Sequence, residues 1–171
     1  FMVDDSTGLT AKDDQIVEYI TKKNKKAQTI CVINKLDKKR KENQTDLALS
    51  EYYHLGFENM LGISAKTKRN VPELDDLLMK MVYKYKESQN DSQAAAEVLK
   101  ESSIQTDKSG IPIAILGKPN AGKSTLLNQL VGQEMAKVEN VAGTTRDYVV
   151  GSFVMNKQKY TIYDTAGIRK K

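Results

Sequence analysis

GKPNAGKS, Gly117 to Ser124, limits what this chain can fold into more than any other stretch. It follows the apolar run IPIAIL and precedes KSTLLNQLVG, so a glycine-rich turn joins a strand to a helix at the spacing G-x-x-x-x-G-K-S. The glycines let the backbone curl until successive N–H groups point at phosphate oxygens. The helix that follows adds its positive dipole end. Such a unit belongs to a three-layer α/β fold, the P-loop NTPase fold, with a mostly parallel sheet. The position of the loop is unusual, because it begins two-thirds of the way along 171 residues.

The sequence before the loop already alternates between strand and helix patterns. FMV is a short apolar run ending in the polar turn DDSTG. TAKDDQIVEYITKK has Thr10 as a candidate N-cap, early acids, a basic end, and Ile16, Val17 and Ile20 on one face. AQTICVIN is a β-branched run of strand length, QTDLALSEYYHLG a helix closed by Gly56, and ENMLGIS a second buried strand. NVPELDDLLMKMVYKYKES spaces Val71, Leu74, Leu77, Leu78, Met81, Val82 and Tyr85 as one helical face. Ser, Gln, Asp and Lys then dominate, and residues 87–110 read as a linker with one short helix at most. Beyond the phosphate loop and its helix, DYVVGSFVMN and QKYTIYD read as two strands joined at Asn156-Lys157, and the sequence ends DTAGIRKK.

Each motif has a chemical task. Asn120, Ala121, Gly122, Lys123, Ser124 and Thr125 would line the phosphates, with Lys123 reaching the outer ones and Ser124 binding Mg²⁺. Asp164 of DTAG would hold the same ion through water, and Gly167 would offer its N–H to a γ-phosphate. In AGTTRD, the Thr145 hydroxyl would complete the Mg²⁺ shell. NKLD, Asn34 to Asp37, ends a strand, and its Asp37 can accept from the N1–H and 2-amino groups of guanine. Adenine lacks both donors, so two charge-assisted bonds of about 1.5–3 kcal/mol each favour GTP and GDP. Asn34 and the stem of Lys35 would brace the loops and cover the base. In SAK, Ser64 to Lys66, the Ala65 N–H would donate to guanine O6 and Lys66 would pack on the ring.

Charge and composition narrow the alternatives. Residues 1–110 carry 18 basic and 18 acidic side chains, and residues 111–171 carry 9 and 4, which is the whole of the net +5. A basic surplus can indicate nucleic acid, so an RNA or protein interaction fragment without nucleotide competence stands as the rival reading. Lys118, Lys123, Arg146 and Arg169 lie in or beside the motifs, however, where a bound triphosphate would offset them. The single cysteine, Cys31, reads as a buried strand thiol, and the single histidine, His54, as a surface or capping residue. No apolar run approaches the roughly 18 residues that span a bilayer. With no signal or transit pattern at FMVDDSTG, the expectation is a cytoplasmic protein without membrane contact. Phe1 in place of an initiator Met suggests a fragment of something longer.

GKPNAGKS, AGTTRD and DTAGIRKK together resemble the Era/TrmE/Der branch of the translation-factor-like GTPases. FMVDDSTGLTAKDD, VINKLD, the SAK segment and the polar stretch before the phosphate loop resemble the Der/EngA double-GTPase family, over essentially all 171 residues. The resemblance implies a slow GTPase switch acting in assembly of the large ribosomal subunit, contacting ribosomal RNA through the longer protein. It implies that residues 1–86 are the later half of a first G domain and residues 111–171 the earlier half of a second. The halves are complementary, so their order is that of a circularly permuted G domain. They would pack as one composite domain within a monomer or a swapped dimer, or remain two separate half-domains. A linker of about 24 residues has a flexible span of roughly 27 Å, enough to join them. Ile168 stands after DTAG, where Ras-like enzymes place a glutamine that orients the attacking water. The resemblance implies that a K⁺ ion, held partly by Asn120, supplies positive charge there, making Lys123, Thr145 and Asn120 the catalytic set.

Overall fold

The computed structural model describes residues 1–23, 28–93, 110–131, 149–155 and 158–163. Six strands and four helices appear among them: β1 (Met2–Asp4), α1 (Ala11–Lys23), β2 (Ile30–Asn34), α2 (Thr45–Ser50), β3 (Asn59–Gly62), α3 (Val71–Gln93), β4 (Ile111–Ala114), α4 (Lys123–Val131), β5 (Val149–Met155) and β6 (Gln158–Tyr163). β1, β2 and β3 pair in parallel in that order. β4 pairs in parallel with β6, and β5 closes that side antiparallel to β6.

The two groups of strands meet where the Met2 N–H donates to the Leu116 carbonyl at 2.7 Å. The two three-stranded sheets, β1-β2-β3 and β4-β6-β5, thus approach each other on the side of β1 and of the segment that follows β4. From β4 the chain leaves through α4 toward β5 and β6, and from β1 it leaves through α1 toward β2 and β3. Crossovers diverging from neighbouring strands open a crevice at the carboxyl ends of those strands, the usual ligand position in such sheets.

The alternation of side chains along the strands sorts the core into two layers. Phe1, Val3, Cys31 and Ile33 face α1 and α2, packing with Ile20, Ala48 and Tyr52. Met2, Ile30 and Val32 face the opposite way, toward Leu74 of α3 and Leu126 of α4. This second layer is common to both segments, and Ala121, Ile115 and Leu130 complete it. Further along α3, Val82 and Met79 cover Tyr160, Ile111 and Ile113, and the Tyr160 hydroxyl donates to Met79 Sδ at 3.2 Å.

Three local expectations change. α3 continues through residues 87–93, into the stretch read as a linker. Polar residues there contain no Gly or Pro, so the helix is not interrupted where the composition turns polar. The helix anticipated over QTDLALSEYYHLG is only α2, followed by a 3₁₀ turn over Tyr53–Leu55 that Gly56 closes at φ +74°. It breaks where Tyr52 turns inward to donate to Asp5 Oδ1 at 3.1 Å. At the start of α1, Thr10 donates its N–H (2.9 Å) and hydroxyl (2.7 Å) to Asp13 Oδ2, so the cap carboxylate comes from three residues on. His54 is exposed and Cys31 fully buried, as read from the sequence.

Candidate functional site

The phosphate loop follows β4 and curls through Asn120 at φ +62° and Gly122 at φ +101°. Its glycines are required by contacts with the other segment. A Cβ on Gly117 would lie 2.4 Å from the Met2 carbonyl oxygen, and one on Gly122 would lie 2.3 Å from Asn34 Nδ2.

Four carbonyls of the loop accept side-chain donors. Lys123 Nζ reaches those of Gly117 and Lys118, both at 2.8 Å. Lys35 Nζ reaches that of Asn120 at 2.6 Å, and Asn34 Nδ2 that of Ala121 at 2.8 Å. Of the four planes held in this way, those of Gly117 and Ala121 carry the Lys118 and Gly122 N–H groups on the side opposite the held oxygen, the polarity an anion cradle needs. Pro119 has no N–H, and the Ala121 N–H donates to the Lys118 carbonyl. Ser124 and Thr125 are exposed in the first turn of α4, beside the positive end of its dipole.

The base-side motifs bond to the same loop. Asn34 is 2% exposed and joins three loops, because its Oδ1 accepts the Ala65 N–H at 2.9 Å while its amide holds Ala121. The Ala65 N–H, expected to donate to guanine O6, is thus engaged by Asn34 here. Lys35 adopts φ +68°, which turns its ammonium to Asp4 Oδ2 at 2.7 Å as well as to Asn120. Asp37 is exposed in the 3₁₀ turn that follows, and Ser64 Oγ donates to its Oδ1 at 2.6 Å. Lys66 is exposed beside it.

Buried charges hold these loops. Burial alone would raise the Asp4 carboxyl pKa, but the Lys35 ammonium and the two Ser6 donors outweigh it and keep it below the usual carboxylate range. Asp5, with a fully buried side chain, takes Arg40 Nε at 3.1 Å and Nη2 at 3.3 Å. Arg40 also pairs with Glu51 at 2.7 Å, and Arg69 donates to the Arg40 and Lys41 carbonyls. KLDKKRKEN is therefore not merely a solvated basic turn, because its arginine anchors the loop. Burial, followed by the nearby Asp5 charge, pushes the Tyr52 phenol well above its ordinary value.

Asn34, Lys35, Asp37, Ser64, Ala65 and Lys66 thus share one end of the sheet with Asn120, Ala121, Gly122, Lys123, Ser124 and Thr125. Thr145, Asp164, Gly167 and Ile168 lie outside the described residues. Sequence reasoning passed over Asp4 and Asp13. For Asp4 the available signal was DDSTG, two carboxylates at the carboxyl end of an apolar strand, where site residues collect. Asp13 lies in the first turn of α1 and carried no such signal.

Comparison with known proteins adds to this geometry. Residues 112–171 match the family described as a 50S ribosome-binding GTPase. The whole chain aligns with GTPase Der of Pseudomonas putida (strain W619) at 37% identity, covering 34% of that protein. It aligns equally completely with GTPase Der of Pseudomonas aeruginosa PAO1 (37% identical, 35% covered) and of Halothermothrix orenii (36% identical, 34% covered). The chain therefore spans about a third of the length of the curated relatives it matches.

Proposed function

We propose that this chain, homologous along its whole length to about a third of GTPase Der, binds one guanine nucleotide in a site shared by its two segments. The observation that carries the reading is Asn34. One buried side chain bonds both the phosphate loop, at Ala121, and the SAK loop, at Ala65, which supports a site common to the three motifs. In this reading residues 1–86 derive from a first G domain and residues 111–171 from a second, and the two complement each other as a permuted domain. The α- and β-phosphates lie against the loop N–H groups, Lys123 reaches the β- and γ-phosphates, and guanine is read by Asp37, with Ser64 fixing its carboxylate.

Ser124, Thr145 and Asp164 are the groups that would hold Mg²⁺, and Lys123, whose Nζ is held by the Gly117 and Lys118 carbonyls, would stand beside the metal-bound phosphates. When bound, the metal neutralises phosphate charge. Turnover is slow, because Ile168 has no group to orient water. Asn120 would hold part of a K⁺ ion's shell, as the resemblance implies, and the ion would supply the remaining positive charge; replacing K⁺ by Na⁺ should then lower the rate. The same reading gives the chain a role in assembly of the large ribosomal subunit, in the cytoplasm. Among the described residues no helix is long and apolar enough to cross a membrane.

Calorimetric titration with GDP and Mg²⁺ tests the reading. One GDP per chain is expected, and Lys123→Ala on one segment and Asp37→Ala on the other should each abolish binding. Asp37→Asn should transfer preference to xanthosine diphosphate, whose 2-oxo group accepts where guanine donates. Salt-sensitive RNA binding without any GDP affinity would replace this reading with that of an RNA-interaction fragment.

A further inference from the structure

We infer that the buried pair Lys118–Asp13 is a clasp that positions the phosphate loop, making Asp13 a determinant of how tightly the chain grips a nucleotide's β-phosphate. The inference rests on the guanine-nucleotide reading above. Lys118 is the second residue of GKPNAGKS, and its Nζ lies 3.1 Å from Asp13 Oδ2 and 2.9 Å from the Gly8 carbonyl. The two side chains are 10% and 0% exposed. Asp13 Oδ2 also takes both Thr10 donors, while its Oδ1 is buried without a hydrogen-bond partner among the described residues.

A buried ion pair with an unsatisfied oxygen is a poor source of stability, and its best-attested use is to specify position. The position specified here is the entry to the phosphate cradle. Lys118 precedes Pro119, so its backbone is confined to extended conformations and the next residue has no N–H to anchor. Its carbonyl accepts from Lys123 on one side, and its ammonium is held by the first segment on the other. Asn34 and Lys35 fix the far side of the loop at Ala121 and Asn120. Lys118 provides the corresponding hold at the near side, across 105 residues of sequence. Because the loop N–H groups serve the α- and β-phosphates, loosening this hold should weaken β-phosphate recognition and leave base recognition intact.

The test compares GDP, GMP and IDP affinities for the full chain, Lys118→Met, Asp13→Asn, the double variant and Lys118→Arg. Each single neutralisation should weaken GDP binding about tenfold or more, with the GDP/GMP preference falling by a similar factor. The GDP/IDP preference, set by Asp37 at the 2-amino group, should not move. Lys118→Arg should stay within about threefold of the unaltered chain, and the double variant should lose less than the product of the singles. Should a single variant unfold, the Arg and double variants still decide. An equal loss for GDP and GMP, or strictly multiplicative losses, would overturn the clasp. So would a chain that binds GDP and is indifferent to Lys118→Met. A flat GDP titration of the unaltered chain overturns the nucleotide reading and the clasp with it.

Discussion

β2 is the central strand of its three-stranded sheet and β4 an edge strand of the other; every residue of β2 is buried, whereas β4 alternates, with Pro112 and Ala114 exposed. The contrast follows from what each segment brings. Residues 1–93 supply helices for both faces of their own strands, α1 and α2 on one side and α3 on the other. Among the described residues, 110–163 supply only α4, and Ile111, Ile113 and Tyr160 take much of their cover from Met79 and Val82 of α3. The first segment is nearly self-sufficient, and the second depends on it.

Breaking the seam should expose this asymmetry most. Gly117→Ala drives a methyl into the Met2 carbonyl, and a backbone atom cannot swing aside. Nucleotide binding should disappear, with amide exchange in β4 and β6 approaching unprotected rates while β2 stays protected. Mass-spectrometric hydrogen exchange resolves the two regions, and simultaneous loss in both would contradict first-segment autonomy. A graded series then sharpens the contrast. Ile33→Ala, at a fully buried position, should cost about 3–4 kcal/mol, and Ile113→Ala, half-buried, about 1–2 kcal/mol. Ala114→Ser on the open face should stay within about 0.5 kcal/mol. Urea midpoints measure all three.

How much of this could be read in advance depends on how local the cause is. β2 was legible because ICVIN is β-branched and apolar, which suits a strand buried on both faces. The phosphate loop and NKLD were legible because their chemistry lies within a few consecutive residues. The end of α3 was not, because exposed polar helix and polar linker share a composition. The partner of Lys118 was not legible either, since only the fold brings Asp13 to it. Asn34 had been assigned a bracing task, but its hold on the Ala65 N–H depends on a three-loop junction that spacing alone does not reveal.

Two smaller effects probe the first segment alone. The folded pKa of Asp4 is depressed, so its pairing with Lys35 stabilises the chain above the ordinary carboxylate range. That contribution disappears as pH falls through the lowered value. The stability difference between the chain and Asp4→Asn should be present at neutral pH and vanish in acid once pH has fallen through that lowered value, as urea midpoints across pH would record. A difference that persists in acid would mean that Asp4 acts by shape and not by charge. Cys31 changes no energy but reports on β2: burial pushes its thiol up to about 11, so alkylation should be negligible in the folded state and complete in urea. Labelling at neutral pH without denaturant would show that β2 opens more readily than its enclosure implies.

The junction at Met2 and Leu116 also bears on cohesion. A ligand seated across a boundary between two pieces of chain adds its own affinity to whatever holds them together. Such a nucleotide acts as mortar, and the two segments, prepared as separate polypeptides, would find each other most readily when it is supplied.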